Sequence, residues 1–314
     1  VAPRGLVLLY HRVDDVADAH DLSVPPALFE AHLTWLRANC TLMPLDEMLS
    51  ASPETLGDRP VAVTFDDGYL DNLTVAAPLL ARHGVPATFF LTSRWLDAPG
   101  EYWWDTLERI LQEGVTGRPF EIEIAGRSTR LSTSTAEARR SAHDQLHDAL
   151  VHAALAERDR IVTALLAWAG AAAPARADRR PMVADELRQL SRIPGMTIGS
   201  HTVNHLALPD QPPDVQQHEV AECRAALTSI IGRPVEFFAY PYGAIDRRSA
   251  AHIRRSQRWG LSCNTGRLGD SFDAARVPRL EIMRLELPAF RDAVERMFAD
   301  SPELSLPAIT RLPE

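Results

Sequence analysis

The sequence contains no lysine; all 33 of its basic residues are arginine. That absence excludes a Schiff-base lysine, a pyridoxal-phosphate anchor and a phosphate-loop lysine. Cysteine is almost as scarce. Cys40, Cys223 and Cys263 are odd in number and far apart, so neither a disulfide framework nor a cysteine zinc site follows. They read as buried thiols of a reducing compartment. No apolar run approaches about 18 residues, which excludes a membrane-spanning helix. No signal peptide opens the chain, which points to the cytoplasm, although a chain beginning at Val1 leaves a removed leader open. Basic runs are missing too, and the net charge is -9, so a nucleic-acid partner is not expected. What remains is 314 residues, 46% hydrophobic and 24% charged, the composition of a soluble globular enzyme with ample length for a core.

The order of apolar runs predicts strands at residues 5–11, 61–65 and 87–92, with helices at 25–39 and 70–84 between them. This alternation predicts an α/β fold with mostly parallel strands. The rhythm breaks between residues 101 and 181. There an aromatic "YWWDTLERILQ", a possible hairpin "RPFEIEIAGRSTRLS" and a long helical stretch end in "AGAAAPARADRRP", which reads as a linker or exposed loop. The span is expected to be a largely helical insertion within a single domain covering 1–314. Strand–helix units then resume: "GMTIGSHT" and "VEFFAYPYG" as strands, 216–232 as a helix, "LSCNT" as a strand and "LPAFRDAVERMFAD" as a final helix. An α/β barrel, complete or incomplete, fits this count better than an open sheet, and in barrels the strand ends carry the chemistry.

Three strand ends stand out. "TFDDGY" ends a strand in two adjacent carboxylates, which repel each other unless a cation or a division of labour separates them. An N-cap role for one of them is the plainer alternative. "GSHTVNH" places His201 and His205 four residues apart. On a helical turn both imidazoles would share one face and could meet one metal. A pair of capping or surface histidines is the alternative here. "FFAYPYG" runs a strand into a turn at Pro241 that could aim a backbone N–H at an oxyanion, or could be a simple loop.

In this order, "TFDDGY", "SHTVNH" and "YPYG" closely resemble the motifs of the polysaccharide deacetylases, the NodB-homology domain or carbohydrate esterase family four. The resemblance runs from about Leu6 to Ile282, the insertion excepted. It implies an irregular or incomplete (β/α) barrel of the NodB-homology type that hydrolyses acetyl groups on sugars with one divalent metal, zinc before cobalt or nickel. Carried over by position, Asp66 is the general base and Asp67, His201 and His205 are the metal ligands. The Tyr242 N–H, in the turn led by Pro241, is the oxyanion donor. The cation would neutralise Asp67 and keep Asp66 ionised, which accounts for the paired carboxylates.

The chain departs from the family pattern twice. Common members carry an Arg just before the Pro of the third motif, where this chain has Ala239 and Tyr240, and a late Leu-x-x-His, where this chain has no His after His252. "LLYH" at 8–11 has the late motif's character at the wrong end of the chain. Because strand order around a barrel is cyclic, His11 is expected as the general acid; a structural His pinned by Asp14 or Asp15 is the alternative. Arg279 or Arg276 of "RVPRLEI" would orient Asp66. Trp103 or Trp104 would stack on a sugar ring, unless both are core. The reading is a metal-dependent N-deacetylase of an N-acetylated amino sugar, polymeric or activated. A hydrolase opening cyclic amides of small metabolites, and a catalytically silent sugar-binding module, are the competing readings.

Overall fold

Strands Leu6–Tyr10 and Pro60–Phe65 lie side by side in parallel, and every residue of both is buried. Strands covered on both faces must be apolar throughout, which is why "LVLLY" and "PVAVTF" show no alternation. In a computed structural model describing residues 5–16, 18–112, 117–170, 176–177, 179–269 and 271–299, these two strands sit inside an eight-stranded parallel sheet. From one edge the strands run Trp259–Leu261, Phe237–Ala239, Met196–Ser200, Ala87–Leu91, Pro60–Phe65, Leu6–Tyr10 and Leu280–Glu281, and Thr41–Leu42 pairs with the start of Pro60–Phe65. The sheet curls until its edges meet: Leu261 makes a single parallel bridge to Val277, just ahead of the last strand. The result is an incomplete (β/α) barrel, as expected. The first strand is flanked by the last strand and by Pro60–Phe65, so the Tyr10 end lies beside the Asp66 end.

Helices cover the outside. Pro26–Asn39 buries Phe29, His32, Leu33 and Leu36 against the sheet, and Leu287–Phe298 packs next to it. The 70–84 segment is not one regular helix. It opens with a π turn over Asn72–Ala76 and continues as an α-helix over Ala77–His83. Pro78 has no N–H to offer the Thr74 carbonyl, so the ladder is broken where the wide turn forms. The strand expected at 261–265 lies instead at Trp259–Leu261. Ser262 and Asn264 then tie irregular backbone to Val277 and Arg279.

The insertion comprises helix Trp103–Leu111, an antiparallel hairpin Phe120–Ile124 with Arg127–Leu131, and helices Ala136–Val151 and Leu155–Ala169. Ala125 and Gly126 both have positive φ (50° and 77°), the two-residue turn that matches strand twist. Leu107, Phe120, Leu146 and Leu165 gather in a core of its own. Of the linker expected before Pro181, residues 171–175 and 178 lie outside the described residues. Its end is not an exposed loop: Arg179 is buried, and residues 180–182 run antiparallel to 68–70 through Leu70 N–H to Arg180 O and Met182 N–H to Gly68 O. The insertion therefore returns to the turn that follows the paired aspartates. Among the described residues, Cys223 is a buried free thiol, while Cys40 and Cys263 are half-buried rather than fully covered. No described helix is long and apolar enough to cross a membrane.

Candidate active site

Asp66 extends its strand by one residue, its N–H donating to Tyr10 O at 3.0 Å. The chain then reverses. Asp67 and Gly68 both adopt left-handed backbone (φ 70°), and a Cβ on Gly68 would lie 2.5 Å from Leu91 Cγ. Glycine is required there on both counts. The turn leaves the two carboxylates buried, at 1% and 4% exposure, and separated in direction.

Each carboxylate has a different partner. Arg279 clamps Asp66, Nη1 to Oδ1 at 2.8 Å and Nη2 to Oδ2 at 2.7 Å, while its Nε donates to Ser262 O. Burial would raise the Asp66 pKa, but the guanidinium, aided by His201 and His11, outweighs burial and holds it below the ordinary carboxylate value. Asp67 faces His201 and His205, whose Nε2 atoms lie 3.4 and 3.2 Å from its Oδ1. The ligand atoms of these three residues all lie within 4.8 Å of one another. The Nδ1–H of His201 donates to Ala239 O at 2.8 Å, which leaves Nε2 turned toward the carboxylate. Burial opposes a charge on His201, but Asp66 and Asp67 favour it and raise its pKa, so the pocket draws positive charge. Among the described residues, Asp67 Oδ1 has no well-formed hydrogen bond, and of the two carboxylates only Asp66 has an arginine to balance it. Burial pushes His205 down to about 4 against the pull of Asp67, keeping it neutral and able to donate its lone pair. A divalent cation fits these donors and supplies that positive charge; two imidazoles and one carboxylate are a common set for zinc and its neighbours.

His201 and His205 do not converge along a helical turn, as their spacing predicted. Residues 201–205 form a bent loop with Thr202 (φ 66°) and His205 (φ 52°) left-handed. Such conformations persist when surroundings hold them. The buried Arg158 of the insertion donates to both Asn204 O and His205 O at 3.1 Å, and Glu219 grips Asn204 through its N–H and side chain. Neither holder was singled out in the sequence, where both look like ordinary helix-surface charges.

The other expected residues fall as follows. His11 stands at the end of the first strand, in the neighbourhood of both Asp66 and Asp67, with Nδ1 3.9 Å from Glu281. Asp14 does not pin it; Asp14 bonds Arg12 at 2.9 Å. Arg279 is the arginine on Asp66, whereas Arg276 lies half-exposed near Asp273. Pro241 is buried and Tyr242 is left-handed (φ 58°), its ring 4.6 Å from that of His205. The two tryptophans part company. Trp103 is 7% exposed and packed in the insertion's core, so it presents no face to a sugar. Trp104 stacks on Tyr102 and lies 4.8 Å from the His205 ring, with its Nε1–H on Tyr69 OH. Tyr102 in turn donates to Asp67 O and contacts Thr92. Tyr69 donates to Asp105, which burial pushes up to about 7 despite Arg12.

The family model for polysaccharide deacetylases matches residues 54–117 and 161–260. The chain belongs to the polysaccharide deacetylase family. The matched stretches contain Asp66, Asp67, His201, His205 and Tyr242; His11 and Arg279 lie outside them. Among curated proteins, YxkH of Bacillus subtilis (strain 168), which carries a polysaccharide deacetylase designation, is 31% identical over 120 residues. That match takes in 37% of this chain and 42% of YxkH, under half of the relative's length. Three solved structures share the fold. The Streptococcus pyogenes deacetylase PplD, solved in complex with acetate, aligns at TM-score 0.61 and 17% identity, covering 93% of this chain and 97% of that one. The de-N-acetylase of Aggregatibacter actinomycetemcomitans aligns at 0.59 and 16%, over 92% and 99%. IcaB from Ammonifex degensii aligns at 0.57 and 17%, over 95% and 98%. At these identities the likeness establishes the NodB-type barrel.

Proposed function

We propose that this chain is a metal-dependent carbohydrate N-deacetylase, cleaving the acetamide of an N-acetylated amino sugar within one catalytic domain interrupted by the 101–181 insertion. One observation carries the reading: an Asp–His–His set built for a cation stands next to a second carboxylate that a buried arginine keeps ionised. Asp67, His201 and His205 would hold the ion, zinc before cobalt or nickel, which the donors also admit. Such an ion supplies Lewis-acid polarisation of a carbonyl and acidifies water.

The residues of the chain divide the remaining work. Asp66, ionised by Arg279, accepts the proton of the attacking water. Negative charge then develops on the former carbonyl oxygen, and the backbone N–H of Tyr242 in the Pro241 turn would stabilise it. His11 protonates the leaving amine, which cannot depart as an anion. Trp104 forms a wall beside His205 against which a sugar ring packs. The de-N-acetylase among the structural neighbours supports the choice of an amide over an ester.

The test is acetate release from a panel of N-acetylated sugars, with and without chelator, for the wild type, Asp66→Asn and His11→Ala. Chelator-sensitive release that Asp66→Asn abolishes is the expected result. No acetate from any sugar by metal-loaded protein would reject the reading in favour of cyclic amide opening or a silent module.

A further inference from the structure

The strand that delivers His11 ends one residue too early to hold it. Pairing with its neighbours takes the Leu9 and Tyr10 carbonyls, through Ile282 N–H and Asp66 N–H. The His11 carbonyl lies beyond the ladder, and among the described residues the His11 ring has only the 3.9 Å approach to Glu281. Its backbone is held from the other side by two consecutive residues, Asp71 and Asn72, four and five positions after Asp67. Asn72 is fully buried, and its Nδ2 donates to His11 O at 2.9 Å and to Asp71 Oδ1 at 3.0 Å. The Asp71 Oδ1 also accepts Val13 N–H at 2.9 Å, and its Oδ2 accepts Arg12 Nε at 3.3 Å. Arg12 is buried too, over the Tyr69 ring and on Asp14. Carbonyl 11, side chain 12 and N–H 13 are therefore all fixed by residues 71 and 72.

The arrangement is costly for a merely structural tie. Asn72 commits both amide hydrogens, and its Oδ1 is buried without a partner among the described residues. Asp71 is a buried carboxyl whose pKa burial raises even against Arg12. Both sit where the helix opens as a π turn, a form that recurs at functional sites. We infer that Asp71 and Asn72 are positioning residues for the general acid: by clamping the backbone of residues 11–13 they set the His11 imidazole over the leaving nitrogen. This rests on the assignment of His11 made above. Misplacement of a proton donor by about 1 Å is expected to cost on the order of 100-fold.

Leaving-group chemistry separates this role from general support. An acetamide needs a proton on its departing nitrogen; p-nitrophenyl acetate expels a stable phenolate and needs none. The experiment compares N-acetylglucosamine oligomer and p-nitrophenyl acetate hydrolysis for wild type, Asn72→Ala, His11→Ala and the double variant, each checked for metal content and melting temperature. Asn72→Ala is expected to lower amide kcat about 10- to 100-fold with KM little changed, so that the amide-to-ester ratio falls by a similar factor. In the double variant no further loss beyond His11→Ala is expected. Equal loss on amide and ester, or multiplicative losses in the double variant, would overturn the clamp while leaving His11 as acid. A His11→Ala protein as fast as wild type on the amide would overturn both. If Asn72→Ala does not fold, Asn72→Ser, which keeps one donor, carries the same comparison.

Discussion

Arg279 and Asp66, 213 residues apart in the chain, meet through two parallel hydrogen bonds of 2.8 and 2.7 Å, both side chains buried. The pair stands where strand and closing segment of the barrel come together, and it decides the charge of the base. Removing the guanidinium leaves a buried carboxylate without its main counter-charge. Arg279→Met is therefore expected to destabilise the fold by about 3–5 kcal/mol, read by urea unfolding. It should also move the acidic limb of the kcat/KM profile toward higher pH. The sign follows from the shift: Asp66 is depressed in the native state, so its contribution is present above the ordinary carboxylate pKa and is lost as pH falls through the native value. Arg279→Lys restores charge without the fork and should recover only part of the loss.

Metal content is the direct check on the Asp–His–His set. Wild-type protein is expected to carry about one divalent ion per chain by elemental analysis, since each of the three residues offers one ligand atom to a common point. Asp67→Ala and His205→Ala should bind none at micromolar free metal. A variant that retained full occupancy would show that another set of residues holds the ion.

The two tryptophans should separate stability from binding. Trp103→Ala empties part of the insertion's core and is expected to cost about 3–5 kcal/mol, visible as a lowered melting temperature. Trp104→Ala should instead raise KM for sugar amides with metal content unchanged. A larger melting loss from Trp104→Ala than from Trp103→Ala would reverse this assignment.

His32 gives the fold its own pH dependence, away from the site. Its ring stacks on Phe290 at 3.9 Å and bonds the Leu285 carbonyl, joining an early helix to the last one. Burial lowers its pKa to about 4 from the ordinary 6.5. The unfolded chain therefore binds the proton more readily, and stability is lost as pH falls from 6.5 toward 4. The loss is on the order of 3 kcal/mol, absent in His32→Gln, and unfolding curves across that range measure it.

The sequence made the four residues of "TFDD" and "SHTVNH" legible because compact motifs sit directly on strand ends, where the backbone leaves little freedom. The way His201 and His205 meet was not legible, since spacing of four fits a helix and nothing local marks the left-handed Thr202. Arg279 could be named because the third motif lacks the family's arginine and a substitute was sought, but Arg276 was as good a candidate until depth was known. Trp103 and Trp104 differ only in which side of one helix they occupy. Arg158, Glu219, Asp71 and Asn72 escaped notice for a shared reason: charged and amide side chains near a motif read as solvated, and only the fold shows them turned inward to hold backbone.

The distance in sequence between the base and its counter-charge also sets an order of events during synthesis. The strand bearing Asp66 leaves the ribosome long before residue 279 has been made, and until then its carboxylate cannot be buried beside its guanidinium. The barrel's last-made segment is thus the one that neutralises its interior, so closure of the sheet and arming of the base are the same late step, paid for with the slow search that such remote contacts impose.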